Sequence, residues 1–143
     1  MILNIRHTGI VVTNLEESKK FYCDLLGFKV QKEMDESGEF INNFSDLDDV
    51  LVTTSKMTLE NGHMVELLKY KSHPEEPDML RKITQIGCSH IALTVDDLDE
   101  TYARLVENGV IFNSPPQYSP DGKAKVTFCK DPDGSLVELV EEL

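Results

Sequence analysis

Two glutamates stand inside apolar runs of the kind that form β-strands, each four residues after a glycine. Glu66 lies in the stretch GHMVELL, residues 62–68, and Glu138 lies in GSLVELV, residues 134–140. An ionised carboxylate in an apolar environment is costly unless it is paired or coordinates a metal. Two glutamates in the same setting therefore indicate a structural feature that occurs twice in the chain and has the same role each time.

Two histidines are matched in the same way. His7 begins the run HTGIVVTNL and His90 begins HIALTVDDL, and each run reaches a leucine eight positions later. Imidazole nitrogens and carboxylate oxygens suit a divalent transition metal, or a harder ion such as Mg²⁺ or Mn²⁺. The remaining histidines, His63 and His73, have no such counterparts and are expected to be exposed. The candidate ligands are thus His7, Glu66, His90 and Glu138.

These four residues belong to an internal repeat that spans the chain. After each histidine run come acidic residues that suit the start of a helix, with Asn14 or Asp97 as its cap. Gly27 and Gly109 stand where each helix should end. Strand-like segments follow, separated by glycine-containing turns at residues 60–62, 121–122 and 131–134. Each half is therefore predicted to be a βαβββ module, with VIF at residues 110–112 as a strand of the second.

The repeat predicts an α+β fold with two pseudo-symmetric βαβββ modules, whose curled mixed sheets enclose a cleft where the candidate ligands converge. We expect one domain over residues 1–143, with module one at about 1–70, a linker at about 71–86 and module two at about 87–143. The histidine-to-glutamate interval is longer in the first module. The additional residues lie near 36–49, as a lid or a tolerated insertion.

Composition limits the kinds of partner. A formal net charge of −12 without a basic stripe argues against binding of nucleic acid. No apolar run is long enough for a membrane span or a secretory signal, so we expect no membrane partner and a cytoplasmic location. An anionic substrate would need a local cluster of cations. The available candidates are Lys69, Lys71, Arg81, Lys82, Lys123 and Lys125.

The three cysteines give no sign of a disulfide framework or a redox motif. Cys23, Cys88 and Cys129 are widely spaced and form no C-x-x-C pair. We expect them to be reduced, buried thiols.

Four segments resemble the recurring strands, helices and hairpins of the vicinal oxygen chelate superfamily. They are HTGIVVTNLEESKKFYCDLLGF, GHMVELL, CSHIALTVDDLDETYARLVENGV and FCKDPDGSLVELV. This superfamily includes glyoxalase I (lactoylglutathione lyase), methylmalonyl-CoA epimerase, extradiol dioxygenases and drug-resistance proteins. The resemblance covers essentially the whole chain, and the order His-Glu-His-Glu is similar to the ligand pattern of glyoxalase I. It implies one divalent ion per site, with Ni, Co, Zn, Mn, Fe and Mg as candidates.

The resemblance implies a metal-dependent lyase or isomerase that moves a proton next to a metal-bound carbonyl through an enediolate. Glu138 or Glu66 would be the base, and analogy favours Glu138. The alternatives are an acyl-CoA epimerase of the methylmalonyl-CoA type, an extradiol-type dioxygenase and a non-catalytic drug-resistance protein. A fourth protein ligand disfavours the dioxygenase, which uses two histidines and one carboxylate.

The same resemblance implies a small-molecule substrate, such as a thiol conjugate or a thioester, and a homodimer. The metal site would lie within one chain or be shared between two.

Overall fold

The computed structural model describes residues 1–143, which divide into two compact units at residues 1–77 and 78–143. The division falls inside the predicted linker. Each unit contains one open, four-stranded mixed sheet with its own helices. The predicted α+β class is confirmed, since each unit has the strand–helix–strands order of a βαβββ module.

The first unit has strand order β1-β4-β3-β2, with β1 parallel to β4 and the other neighbours antiparallel. Helix α1 continues directly as a π-helical segment, Lys20–Leu25. The elements of this unit are β1 (Thr8–Val11), α1 (Leu15–Lys19), β2 (Lys29–Ser37), α2 (Glu39–Ser45), β3 (Leu51–Thr58) and β4 (Met64–Tyr70).

The second unit repeats this topology with strand order β5-β8-β7-β6, in which β5 is parallel to β8. It has no counterpart of α2. Its elements are β5 (His90–Thr94), α3 (Leu98–Glu107), β6 (Gln117–Tyr118), β7 (Ala124–Lys130) and β8 (Leu136–Glu142).

Side-chain caps fix the start of the helix that follows the first strand in each unit. The Asn14 side chain accepts hydrogen bonds from the backbone N–H groups of Glu16 and Glu17, at 3.1 and 3.2 Å. The Asp97 carboxylate accepts one from Glu100 N–H at 2.9 Å. These caps satisfy N–H groups that have no partner inside the helix. Both predicted helix starts are therefore confirmed.

Helix α1 packs against one side of the first sheet and leaves the other side for the candidate ligand. Met57 and Leu67 are fully buried on the α1 side, where the Cys23 sulfur lies 3.6 Å from that of Met57. Successive side chains of a strand point to opposite sides of the sheet. Glu66 and Leu68 therefore lie on the side away from α1, which we call the ligand side.

The additional residues of the first module form the end of β2 and helix α2. Ile41 of α2 is buried with Val50 and Val52, and Leu68 and Tyr70 pack against this cluster. Leu68 and Tyr70 lie two and four positions after Glu66 in β4, so their side chains are on the same side of the sheet as its carboxylate. Helix α2 therefore covers one end of the ligand side. Sequence periodicity did not predict this helix.

The strand predicted at residues 110–112 is largely wrong. Phe112 makes an isolated β-bridge to Cys129, and the short strand β6 begins only at Gln117. Pro115 and Pro116 lie between them and have no backbone N–H to donate to a sheet. The second sheet is therefore bounded by a two-residue strand where the first has nine residues.

The three cysteines are free, but their burial differs. Cys129 is fully buried, Cys23 is partly buried and Cys88, just before β5, is exposed. The prediction of burial is therefore wrong for Cys88. Burial, with a smaller contribution from the negative charge of Asp131, raises the pKa of the Cys129 thiol to about 12.

The helices are short. The longest, α3, has ten residues, and none combines the length and apolar character that crossing a bilayer requires.

Candidate metal site

The first histidine–glutamate pair is positioned by the parallel pairing of β1 with β4. Gly9 lies opposite Glu66, and His7 precedes Gly9 by two residues, which places its side chain on the same side of the sheet. The His7 Nε2 atom lies 3.0 Å from Glu66 Oε2. The Glu66 side chain is only 9% exposed, so this carboxylate is buried with the imidazole as a partner.

The second pair repeats this arrangement in β5 and β8. Ala92 lies opposite Glu138, and His90 precedes Ala92 by two residues. The His90 Nε2 atom lies 3.2 Å from Glu138 Oε2, and the Glu138 side chain is 22% exposed. Both modules thus use the same register and a small residue, Gly9 or Ala92, beside the glutamate.

The distances within each pair fit two neighbouring ligands of one ion. Two donor atoms that lie ~2.1 Å from a metal and at right angles are ~3.0 Å apart. The observed separations are 3.0 and 3.2 Å. They also fit an imidazole N–H that donates to a carboxylate. Each pair can therefore supply half of a nitrogen-and-oxygen ligand set without rearrangement of its strands.

The two imidazole rings differ in what orients them. Ser89 Oγ lies 2.7 Å from Nδ1 of His90, and the Phe128 ring packs edge-on against this imidazole at 5.1 Å. The Nδ1 atom of His7 is buried without a hydrogen-bond partner. Histidine ligands are usually held through the nitrogen that does not bind the metal. Ser89 is placed for this role beside His90, and sequence reasoning did not identify it.

The neighbour of each glutamate on the antiparallel strand also differs. Lys56 of β3 lies opposite Glu66, with its Nζ atom 3.5 Å from Oε1. Phe128 of β7 lies opposite Glu138. Each residue precedes its glutamate by the same interval, because both hairpins have equivalent registers. That shared interval is the sequence signal that would have identified Lys56 and Phe128.

One His–Glu pair belongs to each compact unit. No group of three or more histidine, cysteine, aspartate or glutamate side chains is assembled to hold a metal. The convergence of all four candidate ligands on one ion therefore stays a prediction. His63 is exposed, as expected, whereas His73 is half-buried, and neither contributes to the two pairs.

Two of the lysines that could bind an anionic substrate form ion pairs with carboxylates of their own unit. Lys125 contacts Asp99 at 2.8 Å and Glu141 at 3.2 Å. Its hydrogen bond to Asp99 raises its pKa above the ordinary range, although desolvation opposes the shift. Lys71 lies 2.9 Å from Asp35. These two lysines are therefore paired within their own units.

Known proteins resemble this chain over nearly its whole length. YaeR, an uncharacterized protein of Escherichia coli, is 30% identical over 138 residues, which are 96% of this chain and 95% of that protein. A probable lactoylglutathione lyase of Synechocystis is 31% identical over 136 residues, 94% of this chain and 92% of that protein. The crystal structure of a glyoxalase family protein from Bacillus cereus has a TM-score of 0.88 at 24% identity, covering 100% of this chain and 96% of that one.

The model of the Glyoxalase/Bleomycin resistance protein/Dioxygenase superfamily matches residues 4–139. This range includes both His–Glu pairs, all of β1, β4 and β5, and the first part of β8. The resemblance recognised in the four sequence segments is confirmed: the chain belongs to the glyoxalase/bleomycin resistance protein/dioxygenase superfamily.

Proposed function

We propose that the protein is a metal-dependent lyase or isomerase of the glyoxalase I type, which transfers a proton between neighbouring carbon atoms of a small substrate. The observation that carries this proposal is the repeated His–Glu pair, with donor atoms 3.0 and 3.2 Å apart in equivalent registers. The name of the Synechocystis relative, a probable lactoylglutathione lyase, supports the reaction class.

In this proposal the two pairs supply the ligands of one divalent ion, either from one chain or from two copies. When bound, such an ion would supply Lewis-acid stabilisation of the negative charge that follows loss of a proton beside a substrate carbonyl. Two imidazole nitrogens and two carboxylate oxygens would hold the ion, and substrate oxygens would complete its coordination. The metal candidates are Ni, Co, Zn, Mn, Fe and Mg, and the ligands are His7, Glu66, His90 and Glu138.

The base is Glu138, and the surroundings of the two glutamates support this assignment. Glu66 is held by His7 and Lys56 and its side chain is 9% exposed. Glu138 contacts His90, and its side chain is 22% exposed. A general base must come within hydrogen-bond reach of the proton that it removes. The glutamate with fewer restraints suits that movement, while Glu66 would hold the ion in place.

The substrate is a small molecule of the thiol-conjugate or thioester kind. Within that group, hemithioacetals and acyl-CoA thioesters both present a carbonyl or hydroxyl oxygen beside an acidic carbon–hydrogen bond. An epimerase acting on an acyl-CoA of the methylmalonyl type is therefore the nearest alternative.

The active species is a homodimer in this proposal. Large apolar side chains near the N-terminus and in the linker are at least 86% exposed in the single chain, and contact with a second copy would remove them from water. They are Met1, Ile2, Leu3, Ile5, Leu80 and Ile86. Sedimentation at twice the 16.2 kDa of one chain would support the dimer, and a monomer that remains active would contradict it.

The test of the function uses protein loaded with each candidate metal in deuterated water. It is offered the hemithioacetal of methylglyoxal and glutathione, or methylmalonyl-CoA, and products are followed by NMR and mass spectrometry. We expect isomerisation of one compound, with deuterium at the carbon that receives the proton. Metal-loaded protein that turns over neither compound and exchanges neither proton would contradict the proposal. Binding without turnover would instead favour a drug-resistance type of protein.

A further inference from the structure

The ligand side of the first sheet carries two lysines in the same row as Glu66. Lys56 lies opposite Glu66 on β3, and Lys32 lies opposite Lys56 on β2. The next β2 residue, Glu33, pairs with Lys19 of α1 at 3.0 Å, which places Lys32 on the side away from α1. Across the three strands the row therefore reads carboxylate, ammonium, ammonium.

This row has more positive than negative charge, although the chain as a whole has a net charge of −12. Like charges directly opposite each other on neighbouring strands destabilise a sheet. The Lys56 ammonium lies 3.5 Å from Glu66 Oε1, which is longer than the ~2.7–2.9 Å of a charge-assisted hydrogen bond. Its side chain is 30% exposed. Lys56 therefore has donor capacity that a dissolved anion can reach.

A metal ion at Glu66 would make binding of an anion beside Lys56 more favourable. An ion bound there would share the charge of the carboxylate that now balances Lys56. Two cationic centres would then lie on the same side of the sheet, with Lys32 as a third. An additional negative group in this row would lower their mutual repulsion.

The second sheet presents different chemistry at the equivalent place. Phe128 occupies the position opposite Glu138 and packs edge-on against His90. The His–Glu pairs themselves have the same register in both modules. The positions of the candidate ligands therefore do not depend on whether lysine or phenylalanine lies opposite the glutamate. We take this difference to affect which molecule binds beside the ion.

We propose that Lys56, with Lys32 beside it, binds a carboxylate of the substrate next to the metal site. The substrate is then a thiol conjugate or thioester that also has a carboxylate close to the oxygens that chelate the ion. Lys56 is a specificity-determining residue, and this inference rests on the metal site of the proposed function.

The test compares two chelators that bind metals through neighbouring oxygens and differ at one end. Succinomonohydroxamate ends in a carboxylate, and butyrohydroxamate ends in a methyl group on a chain of the same length. Each is titrated calorimetrically into protein loaded with Ni²⁺, whose metal content is measured before and after. We expect succinomonohydroxamate to bind about tenfold more tightly, as for one charged hydrogen bond at a partly exposed site.

Three variants identify the source of this preference. Lys56→Met removes the charge with little change in length, and should reduce the preference to about one. Lys56→Arg keeps the charge and should keep the preference. Lys69→Met is the matched control: Lys69 is among the cations that the sequence offers for an anionic substrate, but it alternates onto the α1 side of β4, away from Glu66. It should behave as the wild type.

Several results would overturn the inference while the metal site stands. They are equal affinities in the wild type, no binding of either chelator to Ni²⁺-loaded protein, or an undiminished preference in Lys56→Met. Equal weakening of both chelators in Lys56→Met would show that the lysine only positions Glu66, which also contradicts it. Protein that retains no Ni²⁺ would instead contradict the proposed function, and the inference with it.

Discussion

At the scale of single residues, the two glutamates have equal registers but unequal surroundings. Glu66 is restrained by an imidazole and an ammonium, whereas Glu138 has the imidazole of His90 and an aromatic neighbour. The His–Glu pair that could hold an ion is thus the same in both modules, whereas the residue opposite each glutamate differs. Under the proposed mechanism this difference assigns separate roles to the two carboxylates.

Replacement of Glu138 by glutamine separates metal binding from proton transfer. The amide oxygen of Glu138→Gln can still ligate an ion but cannot take up the proton, so we expect metal retention with a loss of turnover of about 10²–10⁴-fold. The measurement is deuterium incorporation into whichever substrate the wild type converts. Glu142→Gln, at the exposed end of the same strand, is the control. Full activity in Glu138→Gln would show that another group is the base.

The buried Cys129 thiol predicts a pH-dependent contribution to stability. Because its folded pKa of about 12 is raised above the ~8.5 of an unfolded cysteine, folding favours the protonated thiol. This contribution is fully present below pH ~8.5 and is lost as pH rises toward the folded value, by up to ~1.4 kcal/mol per pH unit.

Urea unfolding of the wild type and Cys129→Ala at several pH values between 8 and 11 isolates this contribution, since other groups titrate in both proteins. We expect the stability difference between them to shrink as pH rises. A difference that stays constant across the range would contradict the assignment of the raised pKa to Cys129.

At the scale of elements, α2 is the feature that distinguishes the first module. It is held by Ile41, which is 5% exposed and packs with Val50 and Val52. Phe40 and Phe44 of the same helix are exposed and pack against each other. Ile41 is therefore the buried apolar contact between the helix and the sheet, beside a hydrogen bond from Val50 N–H to Asn42 Oδ1 at 2.9 Å, while the aromatic pair is exposed.

Truncation of Ile41 should detach α2 and destabilise the first unit. We expect Ile41→Ala to lower the free energy of unfolding by about 2–3 kcal/mol, from lost burial and the cavity left behind. Phe40→Ala removes a larger but exposed side chain and should cost less than about 0.5 kcal/mol. Urea titrations compare the two. Equal effects would mean that Ile41 does not carry the packing.

Local chemistry explains which elements were predictable from the sequence. The helix starts depend on Asn14 and Asp97 and on the residues directly after them, so a short window contains the necessary information. Helix α2 depends on a buried contact with distant strands, and the irregular segment before β6 depends on Pro115 and Pro116. The partners of Glu66 are equally non-local, because strand pairing brings Lys56 to it. The ligand candidates were predictable only because the repeat presents them twice.

At the scale of the whole molecule, the chain consists of one topological unit used twice. Both sheets have the same strand order, and each contributes one His–Glu pair with small residues beside it. The family match extends over both units. The proposed function requires both units to contribute to one metal site, so that neither pair would be sufficient without the other.

Metal stoichiometry tests that claim most directly. Protein is stripped with a chelator, reloaded, dialysed and assayed by inductively coupled plasma mass spectrometry. Beside it are the double variants His7→Ala/Glu66→Ala and His90→Ala/Glu138→Ala, each checked for folding by circular dichroism. The account predicts one ion per chain in the wild type and none in either variant, because each keeps only half of the ligand set. A wild type without bound metal, or a variant that still retains a full ion, would contradict it.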